Sequence, residues 1–247
     1  MSSIPSDVVK DLAPGGTLRV AINLGNPVLA QKDAGTGTLG GVSVELAREL
    51  ARRAGVPIQL TEYEAAGKVF DALKSGAWDL AFLAIEPVRA AEIDFTPPYV
   101  IIEGTYMVRK DSPLKAIEDV DRPGIRIAVG KGAAYDLYLT RTLKHATLVR
   151  SHTGGGAAPV ELFLEQNLDV AAGVKQALVA HARTDQNVRI MDGHFMEIRQ
   201  AMGTPKGRDK AAAFLKTYIE EMKASGFVAD ALKRSNQPDA AVAPPAS

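Results

Sequence analysis

Apolar positions along the chain fall into two rhythms. Short runs such as Leu18-Arg19-Val20-Ala21-Ile22, Ile58-Gln59-Leu60 and Asp79-Leu80-Ala81-Phe82-Leu83-Ala84 read as strands, the last apolar enough to be buried on both faces. Between the first two, Leu46, Ala47, Leu50 and Ala54 recur at helical spacing, with Arg48, Glu49, Arg52 and Arg53 on the other faces. Gly55 follows where a helix ends in a left-handed residue, and a second helix through Val69 and Leu73 is closed by Gly76. Pro14-Gly15-Gly16 and Gly25-Asn26-Pro27 are turns, and the glycine-rich stretch Gly35–Gly41 is a hairpin or loop. A strand–helix–strand–helix–strand order predicts an open parallel sheet wound by helices. Ligands of such sheets bind outside the carboxyl ends of the strands, where the loops 23–29, 64–68 and 84–89 fall.

The same pattern then repeats. Gly104–Val108 reads as an extended crossing segment, Pro113–Val120 as a short helix, and Ile125–Val129 as a strand. Gly130-Lys131-Gly132 leads into a helix over about 133–143, followed by a strand at Thr147–Val149 and a Gly154–Gly156 turn. A helix ending near Asn167 and a buried strand at Asp169–Val174 complete the repeat, and helices run from Gly207 to Arg234. The tail from Ser235 is low in core formers and is expected to be disordered. The expected division is an N-terminal extension over 1–15, lobe 1 over 16–104 plus 201–234, lobe 2 over 105–200 and a tail over 235–247.

Composition narrows the function. Of 247 residues, 29 are basic and 29 acidic, so the formal net charge is zero, and no basic run offers a nucleic-acid surface. The chain has no cysteine, which excludes disulfides, thiolate catalysis and cysteine-held metals. The histidines (His145, His152, His181, His194) lack metal-ligand spacing, and no Gly-x-Ser-x-Gly elbow is present. No apolar run approaches a membrane span, and the N-terminus lacks the basic and apolar regions of a secretory signal. No cofactor, metal or membrane insertion is expected, and the protein is expected to be a monomer.

Several runs, in order and spacing, resemble one family. They are Gly41-Val42-Ser43-Val44-Glu45-Leu46-Ala47, then Lys74-Ser75-Gly76-Ala77-Trp78-Asp79-Leu80, then Arg89 with Asp94-Phe95-Thr96-Pro97-Pro98-Tyr99, and last Ala224-Ser225-Gly226-Phe227. The chain is similar, from about Gly16 to Ser235, to the amino-acid-type solute-binding proteins of bacterial uptake systems. The resemblance implies the type II periplasmic-binding fold: two Rossmann-like α/β lobes joined by a two-segment hinge, near 103–105 and 200–203, that closes over a solute. It also implies a periplasmic location and an ABC permease as partner. The missing signal leaves a cytoplasmic location as the alternative.

The resemblance assigns Arg89, after the third strand, to the ligand's carboxylate. A planar guanidinium suits that task because it grips a carboxylate through two parallel bonds. An ion pair with Asp94 or Glu92 is the structural alternative. Ala84 and Glu86 fall in the same loop, Glu86 standing where relatives carry a threonine. A carboxylate there would hold a ligand ammonium, pair with Arg89, or sit solvated in the loop. The turn Lys131-Gly132-Ala133-Ala134-Tyr135 opens a helix whose free N–H groups suit an anion, although a plain tight turn is the alternative. Relatives add serine or threonine hydroxyls where this chain has Ala133 and Ala134. Asn26 lies in the first loop, where many relatives place a stacking aromatic. Lys175 falls near the position of an acid that holds an α-ammonium in amino-acid-binding relatives, and would instead attract a carboxylate. These departures point to a small organic acid, or to an amino acid held through Glu86.

The leading reading is a solute-binding protein that is not an enzyme. Two alternatives stay open: a lyase- or dehydratase-like member using Glu86 or Glu103 as a general acid or base, and a cytosolic buffer or sensor.

Overall fold

The computed structural model describes residues 4–152, 155–237 and 239–246. The chain forms two compact units. Unit 1 comprises Met1–Leu24, Val28–Ile101 and Arg199–Ser247, and unit 2 comprises Gly25–Pro27 and Ile102–Ile198. The strand Val100–Arg109 carries the chain out of unit 1, and the strand Met196–Pro205 carries it back.

In unit 1, the strand Leu18–Asn23 pairs in parallel with Ile58–Tyr63 on one side and Leu80–Ala84 on the other. Met202↔Phe82 and Gly203↔Ala81 set the returning strand antiparallel to Leu80–Ala84. Every residue of Leu80–Ala84 is buried, as its unbroken apolar run requires. Ala21, Val69, Trp78, Ala81, Leu83 and Ile93 pack into one core, and Trp78 satisfies its indole N–H on the Val69 carbonyl at 2.9 Å. The helix Val42–Ala54 starts after Gly41, whose φ is 101°. A Cβ there would lie 2.5 Å from the Leu29 carbonyl oxygen, so the entry to this helix admits only glycine. At the amino end of Leu80–Ala84, buried Asp79 accepts bonds from Arg19 and Arg208. Burial pushes its pKa up, but these partners prevail and hold it below the ordinary carboxylate value.

In unit 2, Val170–Val174 pairs antiparallel to the outgoing strand and in parallel with Arg126–Gly130. Thr147–Ser151 then joins in parallel beyond Arg126–Gly130. Met107, Ala128, Phe163, Leu168, Ala171 and Leu178 form its core with the helix Ala158–Glu165 over them. No helix among the described residues is long and apolar enough to cross a membrane.

Four expectations are corrected. The tail is ordered: Ala241–Val242 pairs antiparallel to Val100 and Ile101, and Ala240 and Ala243 are buried. Its small residues fit against the strand, so the shortage of large core formers misleads. Pro238 and Ser247 lie outside the described residues. The N-terminal extension contains a helix, Ser6–Leu12, packed on the long helix Asp209–Ala224 of unit 1. Pro113–Val120 reduces to a single 3₁₀ turn, Ile117–Asp119, closed by Asp119 accepting from the Lys115 and Ala116 N–H groups. Asn26 belongs with unit 2, although it follows the first strand of unit 1. The Gly154–Gly156 turn falls partly outside the described residues.

Candidate functional site

In unit 1, the buried strand ends at Ala84, and Ile85 is held by its N–H on the Arg199 carbonyl at 2.9 Å. Glu86 caps a one-turn helix, Pro87–Ala90. Proline at its first position brings a φ already suited to a helix. The Glu86 carbonyl accepts the N–H groups of Arg89 and Ala90 at 3.0 and 2.9 Å. This turn folds Arg89 back over the strand end, where its Nη1 donates to the Ala84 carbonyl at 3.0 Å.

Arg89 is 1% exposed and Glu86 is 2% exposed. Desolvation pulls the guanidinium pKa down to about 10, against the opposing pull of the Glu86 charge, so it stays protonated at neutral pH. A dry cation and a dry acid thus stand three residues apart at the carboxyl end of a parallel strand. An acidic ligand atom meeting such a guanidinium would form a charge-assisted bond in low dielectric, the condition in which those bonds are strongest.

Unit 2 treats its cationic features differently. Gly132, at φ 72°, turns the chain out of Arg126–Gly130 into the helix Ala134–Thr142. Its N–H donates to the Asp136 carboxylate at 2.8 Å. Asp136 is 3% exposed and also accepts from Arg150 Nε at 2.9 Å. An internal carboxylate therefore sits at the turn expected to bind an anion. Ala133 caps the helix, Ala134 opens it, and Lys131 is exposed. Tyr135 is 7% exposed and its hydroxyl bonds the Gly130 backbone; burial pushes its pKa far up. Asn26 is buried.

At the end of Val170–Val174, Lys175 opens a helix and donates to Glu103 Oε2 at 2.6 Å, while His194 Nδ1 lies 3.1 Å from Glu103 Oε1. The Lys175 charge thus already has an acid beside it. Phe195 follows, stacked on Tyr106 at 4.4 Å and Tyr138 at 6.0 Å between ring centroids.

Of the sequence candidates, Ala84, Glu86 and Arg89 come together in unit 1. Lys131 through Tyr135 form one turn of unit 2, and Asn26 and Lys175 belong to unit 2 as well. Asp136, Arg150, His194 and Phe195 escape a site reading of the sequence, and Glu103 figures there only as a catalytic candidate. Asp136 left one signal: it is an acid at the third helical position after a glycine turn, the place from which a side chain reaches back to a free N–H. Among the described residues, no three His, Cys, Asp or Glu side chains gather as a metal ion would need.

Two compact α/β units with parallel strands at their cores, joined by two long strands, define a class of two-unit α/β proteins. Within that class, the chain belongs to the bacterial extracellular solute-binding proteins, family 3, whose model matches residues 18–235. Among its relatives is the amino-acid-binding protein AabA of Dichelobacter nodosus, 26% identical over 149 residues. That match covers 60% of this chain and 57% of AabA, just over half of the relative's length.

The fold is shared with the solute receptor for L-cysteine of Neisseria gonorrhoeae. The TM-score is 0.79 at 21% identity, covering 93% of this chain and 94% of the receptor. It is also shared with an ancestral amino-acid-binding protein, AncCDT-1, described as a precursor of cyclohexadienyl dehydratase. There the TM-score is 0.74 at 22% identity, covering 92% of this chain and 98% of the other.

Proposed function

We propose that this protein captures a small carboxylate-bearing solute, an amino acid or organic acid, and delivers it to an ABC-type importer from the periplasmic side without turning it over. The observation that carries the reading is Arg89, a charged side chain 1% exposed at the carboxyl end of a parallel strand. Burying a guanidinium is costly, and a chain that does so at a strand end where ligands bind gains most when a carboxylate arrives. Glu86 is the partner for a ligand ammonium, which favours an amino acid over a simple acid. The relatives' names, which speak of amino acids, support the same choice. The turn Lys131–Ala134, with Tyr135, Asn26 and Lys175, remains a set of candidates for contacts to the rest of the solute.

The test is a thermal-shift screen of amino and organic acids, because a ligand that binds only the folded state raises the melting point by mass action. A hit is then taken to calorimetry with Arg89→Ala. The expected result is a stabilising solute whose binding is lost in the variant. A hit bound with undiminished affinity would remove Arg89 from the site. Catalysis is tested on the same hits: turnover that disappears in Glu86→Gln would replace the transport reading with an enzymatic one.

A further inference from the structure

We propose that unit 2 carries a second small-molecule site, for zwitterionic amino acids with an apolar side chain, at the amino ends of its parallel strands. A cleft of about 360 Å³ lies there, lined by Arg109, Asp111, Leu114, Ile125, Arg126 and Leu168 among others. That is at the lower end of small-molecule pocket sizes. Arg126 opens the strand Arg126–Gly130, and Asp169 immediately precedes the strand Val170–Val174. The 130–135 turn and Lys175 follow the opposite ends of the same two strands. Strands of this length put about 15 Å between the two ends, so this cleft is separate from them.

The charges in the cleft are sorted. Arg126 is matched to Asp169: its backbone N–H donates to Oδ2 at 2.8 Å, and its Nε lies 3.4 Å from the same atom. Arg126 Nη2 also donates to the Asn167 carbonyl at 2.7 Å. Arg109 is held but not neutralised. Its Nη2 donates to the Asn167 side-chain oxygen at 2.9 Å, and its guanidinium carbon lies 4.8 Å from the centre of the Phe163 ring. Asn167 itself is fixed at φ 48°. Among the described residues, Arg109 meets no carboxylate at ion-pair distance, and exposed Asp111 makes no hydrogen bond or ion pair.

One pinned cation and one unmatched anion therefore border the same cleft, with Leu114 and Leu168 buried beneath it. A simple anion would gain Arg109 but face Asp111 and Asp169, and a simple cation would meet the reverse problem. A zwitterion satisfies both: its carboxylate goes to Arg109, its ammonium to Asp111, and its apolar side chain covers Leu114, Ile125 and Leu168. The guanidinium, already oriented by ring and amide, loses little freedom on binding. This site stands on its own observations and does not depend on the reading of Arg89.

The probe is L-leucine, compared with 4-methylpentanoate, which lacks the ammonium, and L-leucinamide, which lacks the carboxylate. The ¹⁵N-labelled full chain is titrated with each. L-leucine is expected to shift the amides of Asp111, Leu114, Asn167 and Leu168 saturably. Arg109→Gln, and independently Asp111→Asn on an exposed residue, should each weaken that response about tenfold or more. Arg89→Ala should leave it unchanged, which separates failure here from failure of the transport reading. No saturable shift at these amides would overturn the proposal. So would 4-methylpentanoate binding there as tightly as L-leucine, or loss of the response in Arg89→Ala.

Discussion

The two units hold the cations at the carboxyl ends of their strands in different settings: fully buried in unit 1, partly exposed in unit 2. Unit 1 buries Arg89 at the end of Leu80–Ala84, bonds its Nη1 to a carbonyl, and leaves its charge desolvated beside Glu86. In unit 2, Asp136 accepts from the Gly132 N–H and from partly exposed Arg150, and Glu103 accepts from partly exposed Lys175. A cation taken out of water gains more from an added anion than one that stays partly hydrated. On the proposed reading, burial rather than strand-end position alone separates the anchor Arg89 from Arg150 and Lys175.

The largest expected effect tests the unit 1 side. Arg89→Ala should weaken solute binding by about 2–5 kcal/mol, the range for truncating one partner of a buried, hydrogen-bonded charge pair. Calorimetry on the solute found by screening measures it. Lys175→Met should cost the same solute much less, because Glu103 already compensates that charge. Equal losses in the two variants would break the contrast between the units.

The next effect concerns the turn of unit 2. Asp136→Asn keeps the shape of the side chain but removes the charge that Arg150 and the Gly132 N–H both use. A loss of about 1–3 kcal/mol in folding stability is expected, since a buried acceptor network is left partly unmet. Urea unfolding with an unchanged slope is the measurement. If stability stays level while affinity for acidic solutes rises, the internal carboxylate had been blocking an anion site. The turn would then match Arg89 in kind.

Much of this architecture is legible in the residues, and its limits are physical. The alternation of apolar runs with helical spacing gives the order of strands and helices in both units, because burial enforces that periodicity. Pairings between distant residues leave no local trace. Lys175 and Glu103 are 72 positions apart, and nothing near either one announces the bond. The burial of Arg89 is equally silent, since arginine is usually exposed, and only the family resemblance singles it out. The tail misleads for a different reason: Ala240 and Ala243 are weak core formers by composition yet are buried, and Lys223 fixes the segment by donating to the Pro244 carbonyl at 2.8 Å.

The smallest effect asks whether the unit 2 pair persists in solution. The hydrogen bond from Lys175, opposed by partial burial and aided by the charges of Lys175 and His194, holds the Glu103 carboxyl below its ordinary pKa. A group whose pKa is depressed on folding stabilises the native state above its unfolded value. It gives that stability up as pH falls through the lower, folded value. The pair is therefore intact at neutral pH and lost only on acidification below the ordinary carboxylate range, about 4.3. Both side chains are partly exposed, so Lys175→Met should change stability by no more than about 1 kcal/mol. Its clearer signature is an upward move of the Glu103 titration midpoint, read from the side-chain carboxyl ¹³C shift against pH. A midpoint that does not move would mean that Lys175 stands apart from Glu103 in solution. Its charge would then be open to a ligand, and the internal pairing of unit 2 cations would rest on Asp136 alone.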